Sequence, residues 1–162
     1  MKKLVLGTLI LASVVVSGCS SDKDAKKPTK EAATATVEAE EVEVDGYAVY
    51  QKYCQSCHVE LMTAKEAMAN LKTLKAPPMV EVSARIKEMI VYKGGDEDTE
   101  RELRLTFIRD YIKRPDIEKS MCHLGAIDRF DVMPSLKGII TEAELHAVAE
   151  WVYDRYEGVE FK

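Results

Sequence analysis

Basic residues are in deficit. The 162-residue chain sets 23 Lys and Arg against 28 Asp and Glu, a formal net charge of −5, and that balance offers no phosphate-neutralising surface, which excludes nucleic acid as a partner. Long apolar runs are missing as well. The longest, Leu4 to Val16, falls short of the roughly 20 residues that cross a bilayer. From Gly46 onward no segment alternates apolar and polar residues, which excludes a half-buried sheet and leaves helix as the regular structure. No aromatic residue falls between Cys19 and Gly46, and that stretch holds too little apolar surface to order itself. Cysteine and histidine are scarce, four and three residues. The one close Cys pair lacks the second ligand pair of a zinc site and the βαβ setting of a thioredoxin-like redox pair.

That pair belongs to Cys54-Gln55-Ser56-Cys57-His58, and a C-x-x-C-H run is a haem-attachment motif. Helix geometry puts Cys54 and Cys57 three apart on one face, where both thiols reach the two vinyl groups of a single porphyrin, with His58 beneath the iron. At this chain's own Cys and His frequencies the motif arises by chance about 0.002 times, so coincidence is set aside.

The N-terminus has a secretory design: Lys2 and Lys3, the apolar run, then Ser17 and Gly18 before Cys19. Val16-Ser17-Gly18-Cys19 resembles the lipobox of bacterial lipoproteins. The resemblance implies that residues 1–18 are a signal peptide and that Cys19 becomes a diacylglyceryl-linked mature N-terminus. Acyl chains anchor without spanning. Removing residues 1–18 takes away two Lys and no acid, so the net charge moves from −5 to −7. Residues 19–45 read as a disordered tether with a basic half (four Lys and two Asp over 20–30) and an acidic half (five Glu and one Asp over 31–45).

Residues 46–162 read as one all-α domain. The first helix runs into the Cys54–His58 motif. A second stripe, Leu61, Ala64, Met68 and Leu71, ends before Pro77 and Pro78. Val82, Ile86, Met89 and Ile90 form a third, closed by Gly94-Gly95. Thr99 with Glu102 has the form of a capping box opening a fourth helix, with Leu103, Phe107, Ile108, Tyr111 and Ile112 on its apolar face, and Pro115 stops it. Thr141 with Glu144 repeats the signal for a last helix carrying Leu145, Val148, Trp151 and Val152. These stripes are expected to be core.

Gly46, Tyr50, Cys54, Cys57 and His58 have the spacing of the N-terminal helix of class I c-type cytochromes, and Met133-Pro134 followed by the helix with Trp151 resembles that family's distal Met loop and C-terminal helix. The resemblance implies a close crossing of the two terminal helices at Gly46, with Tyr50 packed near Trp151 and Val148. Only Gly brings two helix backbones together without a Cβ clash. In the family a Gly-Pro carbonyl soon after the motif orients the proximal His; here the nearest candidates are Pro77 and Pro78, much further along. In the middle, Ala76-Pro77-Pro78-Met79, Tyr111 to Pro115, Lys119 to Cys122 and Val132-Met133-Pro134 resemble a set of small bacterial single-haem cytochromes.

The expected cofactor is therefore one covalently attached haem c, held by Cys54 and Cys57. His58 is the proximal iron ligand and Met133 the distal one, a soft thioether that raises the reduction potential. Met79, Met121, His123 and His146 are the competing sixth ligands, whereas Met62, Met68 and Met89 are assigned to helix-face core. Cys122 is left over. Its readings are a small apolar residue beside the haem, an intermolecular disulfide, a redox-sensing thiol, or a one-thiol relic of a second attachment site at Lys119–His123. The expected function is single-electron transfer between redox proteins by an exported, lipid-anchored cytochrome in the periplasm or on the cell surface, and no enzymatic reaction. Rival readings are the haem subunit of a larger membrane oxidoreductase and an open-iron protein with peroxidase-like or gas-sensing activity.

Overall fold

The computed structural model describes residues 43–162. The signal peptide, Cys19 and almost all of the tether lie outside the described residues. Six α-helices and one short 3₁₀ turn, with no strand among the described residues, bear out the all-α expectation. None of the described helices is long and apolar enough to cross a membrane.

Helix α1, Gly46–Tyr53, starts on Asp45, whose carboxylate accepts the Tyr47 amide at 2.9 Å. Val44, before α1, packs half-buried against the core. Helix α6, Glu142–Asp154, opens on the expected capping box. Thr141 Oγ accepts the Glu144 amide at 3.2 Å and Glu144 Oε2 accepts the Thr141 amide at 3.0 Å. Glu144 also takes Lys52 Nζ of α1 at 2.8 Å, and that bond, with the Thr141 amide, holds its carboxyl down at about 2. One carboxylate thus starts α6 and ties it to α1.

Helix α6 is the axis of the domain: α1, α3 (Met79–Met89) and α4 (Glu97–Lys113) all pack on it. Its Leu145, Val148, Ala149 and Val152 are buried, as are Leu105, Ile108 and Ile112 of α4 and Val80 and Ile86 of α3. Each fully buried large aliphatic contributes about 1.5–3 kcal/mol relative to exposure. Arg104 donates from α4 to the carbonyls of Lys87 at 2.8 Å and Ile90 at 3.0 Å, satisfying the open end of α3.

Several expectations are corrected. The second stripe yields only α2, Ala64–Ala69, which begins on an unforeseen capping box from Thr63 to Glu66. Only Ala67 of this helix is buried, and Leu61, Met68 and Leu71 are exposed. A single turn and a half fixed by its cap has no need of a broad apolar face. Met89 is exposed as well, at the last residue of α3. Helix α4 starts at Glu97 rather than after Thr99. Glu97, Asp98 and Glu100 favour the positive end of the helix, so it extends back over them, and Thr99 Oγ bonds to the Asp96 carboxylate. Glu102 pairs with Arg109 at 2.5 Å instead of capping. A fifth helix, α5 (Leu124–Phe130), was not expected and has no buried residue.

The crossing of α1 and α6 occurs at Gly46, as the resemblance implied. A Cβ there would lie 2.7 Å from Trp151 Cβ and 2.9 Å from the Ala147 carbonyl carbon. Tyr50 stacks on Trp151 with ring centroids 4.5 Å apart and planes at 23°. Gly46→Ala must push two backbones apart and is expected to cost about 2–3 kcal/mol. Gly125→Ala on α5, where an added carbon meets nothing within 4 Å, is expected to lose no stability. Urea-denaturation midpoints of both variants check this.

Candidate functional site

The motif lies in the turn that unwinds α1. Tyr50 O accepts the amides of Cys54 at 2.8 Å and Gln55 at 3.0 Å, and Cys54 O accepts those of Cys57 at 3.0 Å and His58 at 2.9 Å. The five-residue reach to Gln55 opens the helix here, so the motif follows α1 instead of continuing it. The backbone stays tightly wound and brings Cys54, Cys57 and His58 onto one turn. Neither thiol is in a disulfide. Cys57 is exposed, whereas Cys54 is half-buried, and desolvation, aided by Cys57, pushes its thiol up to about 11.

His58 Nδ1 lies 2.8 Å from the carbonyl oxygen of Pro77. A carbonyl only accepts, so Nδ1 carries the proton and Nε2 keeps its lone pair. Burial lowers the imidazole pKa below its ordinary value, and the Pro77 carbonyl opposes this. The ring is consequently neutral at pH 7 and able to ligate a metal. The question left between Pro77 and Pro78 is thereby answered in favour of Pro77.

The same segment completes α3. Pro78, the residue before this helix, offers no side-chain cap. Instead the Met79 amide donates to Val59 O at 2.7 Å and the Val80 amide to Glu60 O at 3.3 Å, so the backbone after His58 caps the helix that follows Pro77. Tyr50 adds a hydroxyl bond to His58 O at 2.7 Å. In the sequence Tyr50 was legible as a packing residue, and nothing there pointed to its hydroxyl.

Met133 is half-buried on a separate segment between α5 and α6. This segment is anchored to the end of α4, by Ser135 Oγ to Lys113 O at 2.6 Å and the Leu136 amide to Ile112 O at 3.0 Å. Among its competitors, Met79 is buried in the core at the start of α3, and His123 and His146 are exposed. Met121 is half-buried, with its carbonyl taking Arg85 Nε at 3.3 Å. Met62 is half-buried, whereas Met68 and Met89, assigned to core, are exposed. Cys122 is a half-buried free thiol whose amide bonds Ser120 Oγ at 3.3 Å. Among the described residues no three His, Cys, Asp or Glu side chains converge as a metal cage. The motif turn thus carries two free thiols and one neutral imidazole whose Nδ1 is already engaged.

Two residues before Met133, Asp131 has φ 61° and ψ −169°, a region that disfavours every side chain. Its amide closes α5 on Ile127 O at 2.8 Å and its carboxylate accepts the Val132 amide at 2.7 Å. The turn therefore sets the direction of the Met133 segment at the cost of local strain. Asp131→Gly is expected to be more stable than Asp131→Ala by about 1 kcal/mol or more, the reverse of the order at an ordinary position. Chemical denaturation of the two variants measures the difference.

No family model matches the chain, and no solved structure matches it. An uncharacterized protein of Aquifex aeolicus (strain VF5) is 41% identical over 120 residues, covering 69% of this chain and 74% of that protein. At that identity and coverage the chain belongs to the same family as the Aquifex aeolicus protein.

Proposed function

We propose that this protein is a single-electron carrier of the c-type cytochrome class, tethered to a bacterial membrane outside the cytoplasm. The observation that carries this reading is the imidazole of His58: neutral, fixed through Nδ1 to the Pro77 carbonyl at 2.8 Å, and placed directly after two unpaired thiols on one turn. A metal-binding His is oriented by a partner of this kind on its other nitrogen, which also raises its basicity. When bound, haem supplies a reversible one-electron change at iron.

The chain's residues divide the remaining work. Cys54 and Cys57 would hold the group through thioether bonds, which require both sulfurs to be reduced and outside any disulfide, as they are here. His58 would ligate through Nε2, and Met133 would close the sixth position from the segment anchored on α4. Both ligands arise from backbone held by hydrogen bonds, so little reorganisation accompanies gain or loss of an electron. Export and a lipid on Cys19 would confine the domain near a membrane, where brief, small, polar encounters with redox proteins suit rapid turnover. No substrate is transformed.

The test is to express the full chain with a cytochrome c maturation system and record ferric and ferrous absorption spectra. A low-spin spectrum with the weak far-red Met-to-iron band, indifferent to carbon monoxide when reduced, is expected. Met133→Ala is expected to lose that band and bind carbon monoxide. A wild-type chain that is high-spin or takes up carbon monoxide readily would instead indicate an open iron with enzymatic or gas-sensing chemistry. Isolation only in a stoichiometric membrane complex would point to a subunit role.

A further inference from the structure

From His58 to Glu60 every backbone carbonyl is engaged, and the donors come from both ends of the domain. Tyr50 Oη donates to His58 O at 2.7 Å, the Met79 amide to Val59 O at 2.7 Å, and Glu60 O accepts both the Val80 amide at 3.3 Å and Tyr156 Oη at 3.0 Å. The Glu60 carboxylate is held by Arg155, with Nε at 3.0 Å and Nη2 at 2.8 Å. A further bond runs from the Ala64 amide to Lys162 O at 2.8 Å.

Tyr50 and Tyr156 are 0% and 3% exposed. Neither hydroxyl has water to turn to, and each is committed to a carbonyl of the same three-residue segment. Burial pushes the Tyr50 phenol up to about 12 and raises that of Tyr156 still more, so both stay protonated donors. Trp151 joins the two rings, stacked on Tyr50 and edge-on to Tyr156 with centroids 5.9 Å apart. Two phenols from distant parts of the chain thus close on the segment that follows the two thiols, Tyr50 on His58 O and Tyr156 on Glu60 O.

We infer that Tyr156, supported by the Arg155–Glu60 pair, is a positioning residue for His58: it holds the His58–Glu60 segment against the start of α3 so that Nδ1 meets the Pro77 carbonyl. Its effect on a bound metal rests on the proposed haem reading, whereas the grip on the segment belongs to the polypeptide alone. The direction of the effect follows from the His58–Pro77 bond. Loss of the Tyr156 hydroxyl leaves the Glu60 carbonyl with its weaker partner at 3.3 Å and loosens the segment. The Nδ1 bond then weakens, the imidazole becomes a poorer electron donor, and the reduced metal is favoured.

The test compares wild type with Tyr156→Phe, which keeps the ring, and with Arg155→Gln, a partly exposed site that keeps the core intact should the first variant fold poorly. In the unloaded chains, amide hydrogen exchange is expected to accelerate about tenfold at Met79 and Val80, with α4 unchanged. In the haem-loaded chains, the redox equilibrium is expected to move threefold or more toward the reduced form, about 28 mV at 59 mV per tenfold. Exchange that rises evenly through α1, α4 and α6, or a redox equilibrium that does not move, would reduce Tyr156 to a packing residue and overturn the inference. If the wild-type chain acquires no haem, the proposed function fails, and the exchange comparison still decides whether Tyr156 holds the segment.

Discussion

The bond from His58 Nδ1 to the Pro77 carbonyl joins segments nineteen residues apart, and the placement of the motif turn depends on it. It chooses the tautomer, leaves Nε2 free to ligate, and fixes the imidazole plane relative to the Cys54–Cys57 turn. It also requires that the end of α1 and the start of α3 be adjacent. That adjacency is produced by exchange: the backbone after His58 supplies the carbonyls that the first amides of α3 lack, and Pro77 returns one carbonyl to the His58 ring. Each segment satisfies polar groups the other would leave unpaired, so the two arrangements stand or fall together.

Helix α6 gives this exchange a rigid backing. Gly46 lets α1 approach it closely, Trp151 supports Tyr50, and the turn after α6 brings Arg155 and Tyr156 to Glu60. Ion pairs along the same helix, from Lys52 to Glu144, Lys113 to Glu142 and Arg101 to Asp154, lie at the surface. Each is worth little by itself, and their orientation agrees with the packing without driving it. The stabilising term is apolar burial on α6, and the polar bonds determine where the motif turn sits.

Features that reside in side-chain identity were legible in the sequence. The Cys54–His58 spacing, the Thr141–Glu144 cap, the absence of strands among the described residues and the need for Gly at position 46 are all of this kind. Other features depend on the fold. Every residue has a carbonyl, so only tertiary structure shows that Pro77 supplies the one that reaches His58. The hydroxyls of Tyr50 and Tyr156 are invisible for the same reason, because a buried Tyr reads as an aromatic until its partner is known. Periodicity misled at Leu61, Met68 and Leu71, where a short capped helix has no broad buried face. The capping signal misled at Thr99, where a plausible cap is swallowed by a helix that its acidic first turn extends. Asp131 gave no sign of its strained backbone, since a non-glycine residue with positive φ is held there by its neighbours.

If Cys54, Cys57 and His58 form one covalent haem site, as proposed, intact-mass and peptide analysis under denaturing conditions will detect it. After expression with a cytochrome c maturation system, a mass increment of one haem is expected that survives unfolding and maps to the peptide containing Cys54 to His58. Free, alkylatable thiols at both Cys54 and Cys57 in that preparation would contradict it.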